Sequence, residues 1–173
     1  ESGYGLIGSV VIKNRSGTQG TKWTDSSRGA TKVLQSATTS AESTDSGGLT
    51  AFGTDGFTLT KGSQSGGDFV NHNGWNYLAY SWDAGESAVT YGPSGSGADN
   101  ESSNYDILTT VRANTTTGVS VLSYTGSGNN QDKIAHGLGA IPEAWILKSR
   151  TGTKEWYRSH DIIEILKKEV SKR

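Results

Sequence analysis

The sequence predicts an all-β fold, and three observations carry that reading. Short alternating or β-branched runs recur along the 173 residues, separated by clusters of Gly, Ser, Asn and Asp, the pattern of strands joined by turns. Only 32% of residues are hydrophobic and 24 are Gly, yet there are five Trp and seven Tyr and a formal charge of only −1. Disorder goes with high net charge and few aromatics, so this composition points instead to a turn-rich, aromatic β structure. Third, one segment occurs twice: Val11-Ile12-Lys13-Asn14-Arg15-Ser16-Gly17-Thr18 returns as Ile146-Leu147-Lys148-Ser149-Arg150-Thr151-Gly152-Thr153. A Trp follows each copy (Trp23 and Trp156), and a Gly-Leu precedes each (Gly5-Leu6 and Gly137-Leu138). The interval from Lys13 to Lys148 is domain-sized, far beyond the roughly 20–50 residues of solenoid repeats. The chain therefore reads as one module plus the opening of another.

In chain order, strands are expected near residues 8–14, 31–35, 49–53, 56–60, 76–83, 106–113, 118–125, 144–150 and 154–159. Asp55-Gly56, set between Ala51-Phe52 and Phe57-Thr58-Leu59, predicts a hairpin turn. Residues 76–83 place Leu78, Tyr80 and Trp82 on one face and Tyr77, Ala79 and Ser81 on the other. Aromatics on both faces predict a central strand covered on both sides. Thr116-Thr117-Gly118 joins two β-branched runs as a second hairpin turn. The stretch 84–105 has few apolar side chains to bury and reads as a Gly/Ser-rich linker. The domain reading is thus a main β module at 1–83, a linker at 84–105, and strands at 106–160 that begin a second, incomplete repeat. Residues 161–173 differ in kind, since Asp161 can cap a short amphipathic helix carrying Ile162, Ile165, Leu166 and Val170. Its Lys167, Lys168, Lys172 and Arg173 suit the helix C-terminus. Nine short strands divided by turns point to a sandwich or a barrel.

Charge and composition exclude several function classes. A near-neutral chain lacks the basic footprint of a nucleic-acid binder. No stretch approaches the roughly 20 apolar residues of a membrane-spanning helix, so no membrane partner is expected. With no Cys, disulfides and thiolate metal sites are excluded. The chain also has no Met, position 1 included, as expected of a processed product or an excerpt.

The chemistry-bearing residues point to structure. His72, His136 and His160 are far apart and lack the short spacing of zinc ligands. His136 is expected to brace the Gly-rich turn before Pro142. Asp25, Glu42, Asp45, Asp55, Asp68 and Asp83 are the candidate acid pairs for glycoside hydrolysis, yet most stand in turn contexts where Asp bonds its own backbone. Asp25 and Arg28 are expected to form a loop-anchoring ion pair, with Arg28 as a two-pronged donor. No Gly-x-Ser-x-Gly elbow is present, and Gly62–Gly67 is no phosphate cradle. The oxygen-rich runs Asp99-Asn100-Glu101 and Asn129-Asn130-Gln131-Asp132 lack the spacing of a calcium loop. No catalytic, cofactor or metal site is expected. The residues singled out, as structural positions, are Trp23, Asp25, Arg28, His136, Pro142 and Trp156, with both Trp expected in the core.

The spaced motif Lys13-Asn14-Arg15, Asp25-Ser26-x-Arg28-Gly29-Ala30-Thr31-Lys32, Ala41-Glu42, Leu49-Thr50-x-Phe52, Asp55-Gly56-Phe57-x-Leu59 and Tyr77-x-Ala79-Tyr80-x-Trp82 resembles a repeated β module of tailed-phage virion proteins. Such modules are common in marine and cyanobacterial phages, in tail-fibre proteins or uncharacterised structural proteins. The segment 119–150, with His136-Gly137-Leu138-Gly139-x-x-Pro142, is similar to the stretch between modules of the same proteins. The resemblance covers roughly residues 5–160; the terminal helix departs from it. It implies a virion location and a sandwich of laminin-G-like or concanavalin-like kind, and it carries no active site. Together with the strand pattern, the expectation is a jelly-roll-like or laminin-G-like β-sandwich with a short C-terminal helix. Its expected role is a non-enzymatic fibre or spike part for assembly and host-surface attachment. The alternatives are a capsid decoration or tail scaffold protein, and a glycan-depolymerising enzyme. The expected partners are other virion proteins, further copies of the chain (a trimer by resemblance) and a host-surface glycan.

Overall fold

The computed structural model describes residues 7–61, 70–85 and 87–159. Within them the chain is all-β, with no helix; the helix expected at 161–173 lies outside the described residues. In chain order the strands are β1 (Ile7–Asn14), β2 (Lys22–Asp25), β3 (Lys32–Gln35), β4 (Ser43–Thr44), β5 (Leu49–Phe52), β6 (Phe57–Leu59) and β7 (Tyr77–Asp83). They continue as β8 (Val89–Gly92), β9 (Asn100–Glu101), β10 (Thr109–Asn114), β11 (Val119–Tyr124), β12 (Ile146–Lys148) and β13 (Trp156–Arg158). The first sheet has the order β4-β3-β2-β1-β7 and the second β11-β10-β8-β9. Two hairpins, β5–β6 and β12–β13, form sheets of their own. All pairings are antiparallel except β8 with β9.

Period-two alternation in β1 decides what the first sheet does with its faces. Val10 and Ile12 point to one side, where they form a core with Leu49 and Val70. Phe52, Phe57 and Leu59 of the β5–β6 hairpin pack against that core, as do Ala30 and Tyr77. The hairpin closes where Asp55-Gly56 predicts it, with Phe52 opposite Phe57 and Gly53 N–H donating to Gly56 O at 2.7 Å. Lys22, opposite Ile12, is 5% exposed, and Asp45 is 4% exposed. Burial pushes the Lys22 amine down from its ordinary value while the nearby Asp45 charge opposes this.

The second sheet is fixed at the end of β7. Asn114 Nδ2 donates to Asp83 Oδ2 at 3.0 Å, and Thr117 Oγ1 donates to Asp83 O at 2.9 Å. The β10–β11 turn falls at Thr116-Thr117-Gly118: Asn114 Oδ1 accepts from the N–H groups of Thr116 and Thr117, and Gly118 takes a φ of 72°. At the same corner Gly8 lies so close to Ala84 that a Cβ there would be 2.3 Å from the alanine Cβ. Only Gly fits where β1 meets the chain leaving β7.

Two expectations are corrected. Residues 84–105 are not a plain linker, because they contain β8 and β9, which build the second sheet with β10. Val89, Thr90 and Tyr91 find partners in Val111, Thr110 and Thr109, and a few β-branched residues suffice when the neighbouring strand supplies the backbone bonds. The strand at 76–83 is not central. β7 is an edge strand bonded to β1 alone among the described residues; Tyr77 faces the core, but Leu78, Tyr80 and Trp82 are 42%, 55% and 37% exposed.

Candidate functional site

The outer face of the first sheet is the most distinctive surface of the molecule. Strand register places Leu34, Trp23, Val11 and Tyr80 in one row across four strands, with Trp82 beside it opposite Ser9. Trp82 stacks near-parallel to Tyr80 (centroids 6.2 Å, 24°) and to Trp23 (6.2 Å, 18°). Trp23 in turn meets Trp156 of β13 at 5.4 Å and 48°. Four aromatic rings thus run continuously from the edge of the first module into the second copy of the repeat. Val11 and Leu34 are buried on this face, at 5% and 6% exposure, although it is the face turned away from the main core.

Beside the rings sits an ion-paired cluster built by the turn after β2. Asp25 ends β2, and its Oδ1 accepts the Arg28 N–H at 2.9 Å, a three-residue closure that Asp favours. The Arg28 guanidinium is thereby held against Asp25 Oδ2, and it also donates to Glu42 Oε2 at 3.0 Å and to Trp23 O at 3.1 Å. Its side chain is only 6% exposed. Glu42 receives a second arginine: Arg150 Nε and Nη2 donate to its two oxygens, each at 3.0 Å. This is the bidentate fork that planar guanidinium offers a carboxylate. Burial would push the Glu42 carboxyl up, but hydrogen bonds from Arg150 and then Arg28 outweigh it and hold the group below its ordinary value. Arg150 is correspondingly raised by its hydrogen bonds to Glu42.

The β12–β13 hairpin is held here by further contacts. Glu42 N–H donates to Arg150 O at 2.8 Å, and Lys148 Nζ donates to Thr39 O at 3.2 Å. Trp156 Nε1 donates to Gln35 O at 3.1 Å and to Thr38 O at 3.3 Å. The loop 35–42 is therefore a cradle of carbonyls ending in one carboxylate. It receives a lysine and an arginine from the repeated segment and an indole N–H from the Trp that follows it.

Of the residues singled out in the sequence, Trp23, Asp25, Arg28 and Trp156 come together on this face. His136 and Pro142 do not; they lie in the connection 125–145, where His136 Nδ1 accepts from Leu138 N–H at 3.3 Å. Trp23 and Trp156, both expected in the core, are instead half-buried where the two repeats meet. Tyr80 and Trp82, expected to be covered, belong to the exposed ring row. Glu42 and Arg150 were visible only as parts of two separate motifs; the signal that joins them is the repeat itself, which brings an extra guanidinium to the module. Among the described residues no group of three His, Asp or Glu side chains is placed to hold a metal ion.

No curated protein and no solved structure matches the chain. A family model, described as a domain of unknown function (DUF7483), matches residues 3–171. With nearly its whole length covered by that model, the chain belongs to the DUF7483 family.

Proposed function

We propose that this chain is a non-enzymatic structural module of a tailed-phage virion, of the fibre or spike kind, serving assembly and host-surface attachment. Its two larger sheets read best as the halves of a β-sandwich of jelly-roll-like or laminin-G-like kind. The observation that carries the reading is the docked second copy of the repeat. A unit that recurs along the chain, and seats on its predecessor through Arg150–Glu42 and Trp156–Trp23, is how a tandem surface-building protein is put together. The exposed ring row on β7 supplies area for contact with neighbours or with a host glycan.

A hydrolytic role is poorly supported by the carboxylates that do converge. Asp25 and Glu42 share the Arg28 guanidinium, and hydrogen bonds from Arg150 and Arg28 hold the Glu42 carboxyl below its ordinary value, whereas a glycosidase needs one carboxyl held protonated. Immunogold labelling of intact particles with antibody against this chain tests the proposal. Label on fibres or spikes is the expected result. Label confined to the capsid surface would replace it with the decoration reading, and particles without label would overturn the virion assignment.

A further inference from the structure

The β12–β13 hairpin is attached to the first module in an unusual way. Among the described residues it joins no strand ladder of that module, being a two-stranded sheet of its own, and the contacts that seat it are side chains plus a single backbone bond from Glu42 to Arg150. Residues 125–145, which lead to it from β11, contain no strand. The pocket at 35–42 is correspondingly specific: it takes Lys148, Arg150 and Trp156, a pattern borne by the repeat. The chain carries a second Lys-x-Arg segment whose arginine, Arg15, is exposed and engages only through its backbone N–H, to Asn76 O, among the described residues.

We propose that the pocket formed by Glu42, Arg28, Trp23 and the carbonyls of Gln35, Thr38 and Thr39 is a receptor for the Lys-x-Arg hairpin of a second copy of this chain. Residues 146–158 pass between chains and reproduce in trans every contact they make in cis. This rests on the reading of the protein as an assembly module and names the partner of that surface. The occupant is argued from the hairpin already seated there, since the other chain offers the identical knob. A net charge of −1 leaves little repulsion between copies. Exchange of an identical element costs little because the contacts are the same in both states. A tethered hairpin competes at an effective concentration of millimolar order, so exchange is expected where chains are held side by side or refold together at high concentration. Each chain has one knob and one pocket, so exchange closes into a dimer or small ring, or runs on as a filament.

Paired charge reversals test this. Glu42→Arg spoils the pocket of one chain and Arg150→Glu the knob of another, so each variant alone is expected to run as a monomer of 18.3 kDa. In an equimolar mixture, Arg150 of the first meets Glu42 of the second, and the reversed pair is satisfied in return. The apparent mass in light scattering should double. A mixture that stays monomeric, with both variants showing a β-sheet circular dichroism spectrum, overturns the proposal. Should either variant fail to fold, wild-type chain and its ¹⁵N-labelled form are unfolded together and refolded at high concentration. Mixed light and heavy oligomers in native mass spectrometry are the supporting result, and monomers at every concentration are the contrary one. Both experiments use isolated protein, so their outcome is independent of whether the chain is found in virions.

Discussion

Ile12 in the first copy of the repeat is 3% exposed, while Leu147, its counterpart in the second, is 38% exposed; Val11 and Ile146 compare as 5% and 52%. The two units are nevertheless built alike. Ile12 pairs with Lys22 and Leu147 with Tyr157, the same separation along the chain, so both copies close a turn of equal length. By this register the two Trp are not strict equivalents: Trp156 stands two positions earlier on its strand than Trp23, though on the same face as the repeat lysine. The repeated pattern fixes a strand-turn-strand unit and the side on which its Trp stands. Burial is supplied by neighbours. The first copy has β3 and β7 beside it and the β5–β6 hairpin over Ile12, whereas among the described residues the second is seated on the 35–42 loop and Trp23. The arginines follow suit, Arg150 seated in the fork on Glu42 and Arg15 left in solvent.

That difference sets the expected size of each perturbation. Ile12→Ala opens a cavity in a packed core and should cost about 3 kcal/mol, against less than about 1 kcal/mol for Leu147→Ala. Denaturant titration measures both, and equal losses would break the distinction between the copies. Arg28→Ala leaves Asp25 and Glu42 facing each other without their shared cation, a loss of about 3 kcal/mol. Arg15→Ala, by contrast, should stay within about 0.5 kcal/mol of wild type.

Much of the fold was legible because its signals are local. Asp55-Gly56 and Thr116-Thr117-Gly118 each specify a turn within a few residues, and all nine expected strands are found within a few residues of their places. What escaped depends on partners far along the chain. β2 is four residues long and turns a lysine, Lys22, inward, so it shows no apolar alternation. β9 is the polar pair Asn100–Glu101, a strand only because Tyr91 and Gly92 lie alongside it. β7 carries aromatics on both faces, the pattern of a central strand, but large rings can shelter one another by stacking, as Tyr80, Trp82 and Trp23 do, without a covering layer. In the site, Asp25 and Arg28 were readable as neighbours three residues apart. The Glu42–Arg150 fork spans 108 positions, and nothing local foretells it.

Smaller effects sharpen the comparison at the contact between the copies. Trp156→Ala removes the ring against Trp23 and both carbonyl contacts, and should cost about 2 kcal/mol of docking. Arg150→Ala should cost about 1 kcal/mol, since its side chain is 40% exposed and partly screened. Both are read as faster hydrogen exchange at residues 146–158 with little change in β1. The smallest expected effect is that of acid. Because the folded Glu42 carboxyl is held below its unfolded value, its contribution is complete above about pH 4.3 and is lost as pH falls through the lowered value. Trp fluorescence should report loosening of Trp156 from Trp23 in that acid range, and Glu42→Gln should remove this pH dependence.

Native-state hydrogen exchange in increasing denaturant tests most directly whether the second copy is a separately docked unit. The amides of Ile146–Lys148 are expected to open at a lower free energy than those of Ile7–Asn14, and Arg150→Ala is expected to lower the first value alone. A common opening energy for both segments, shifted together by that substitution, would contradict it.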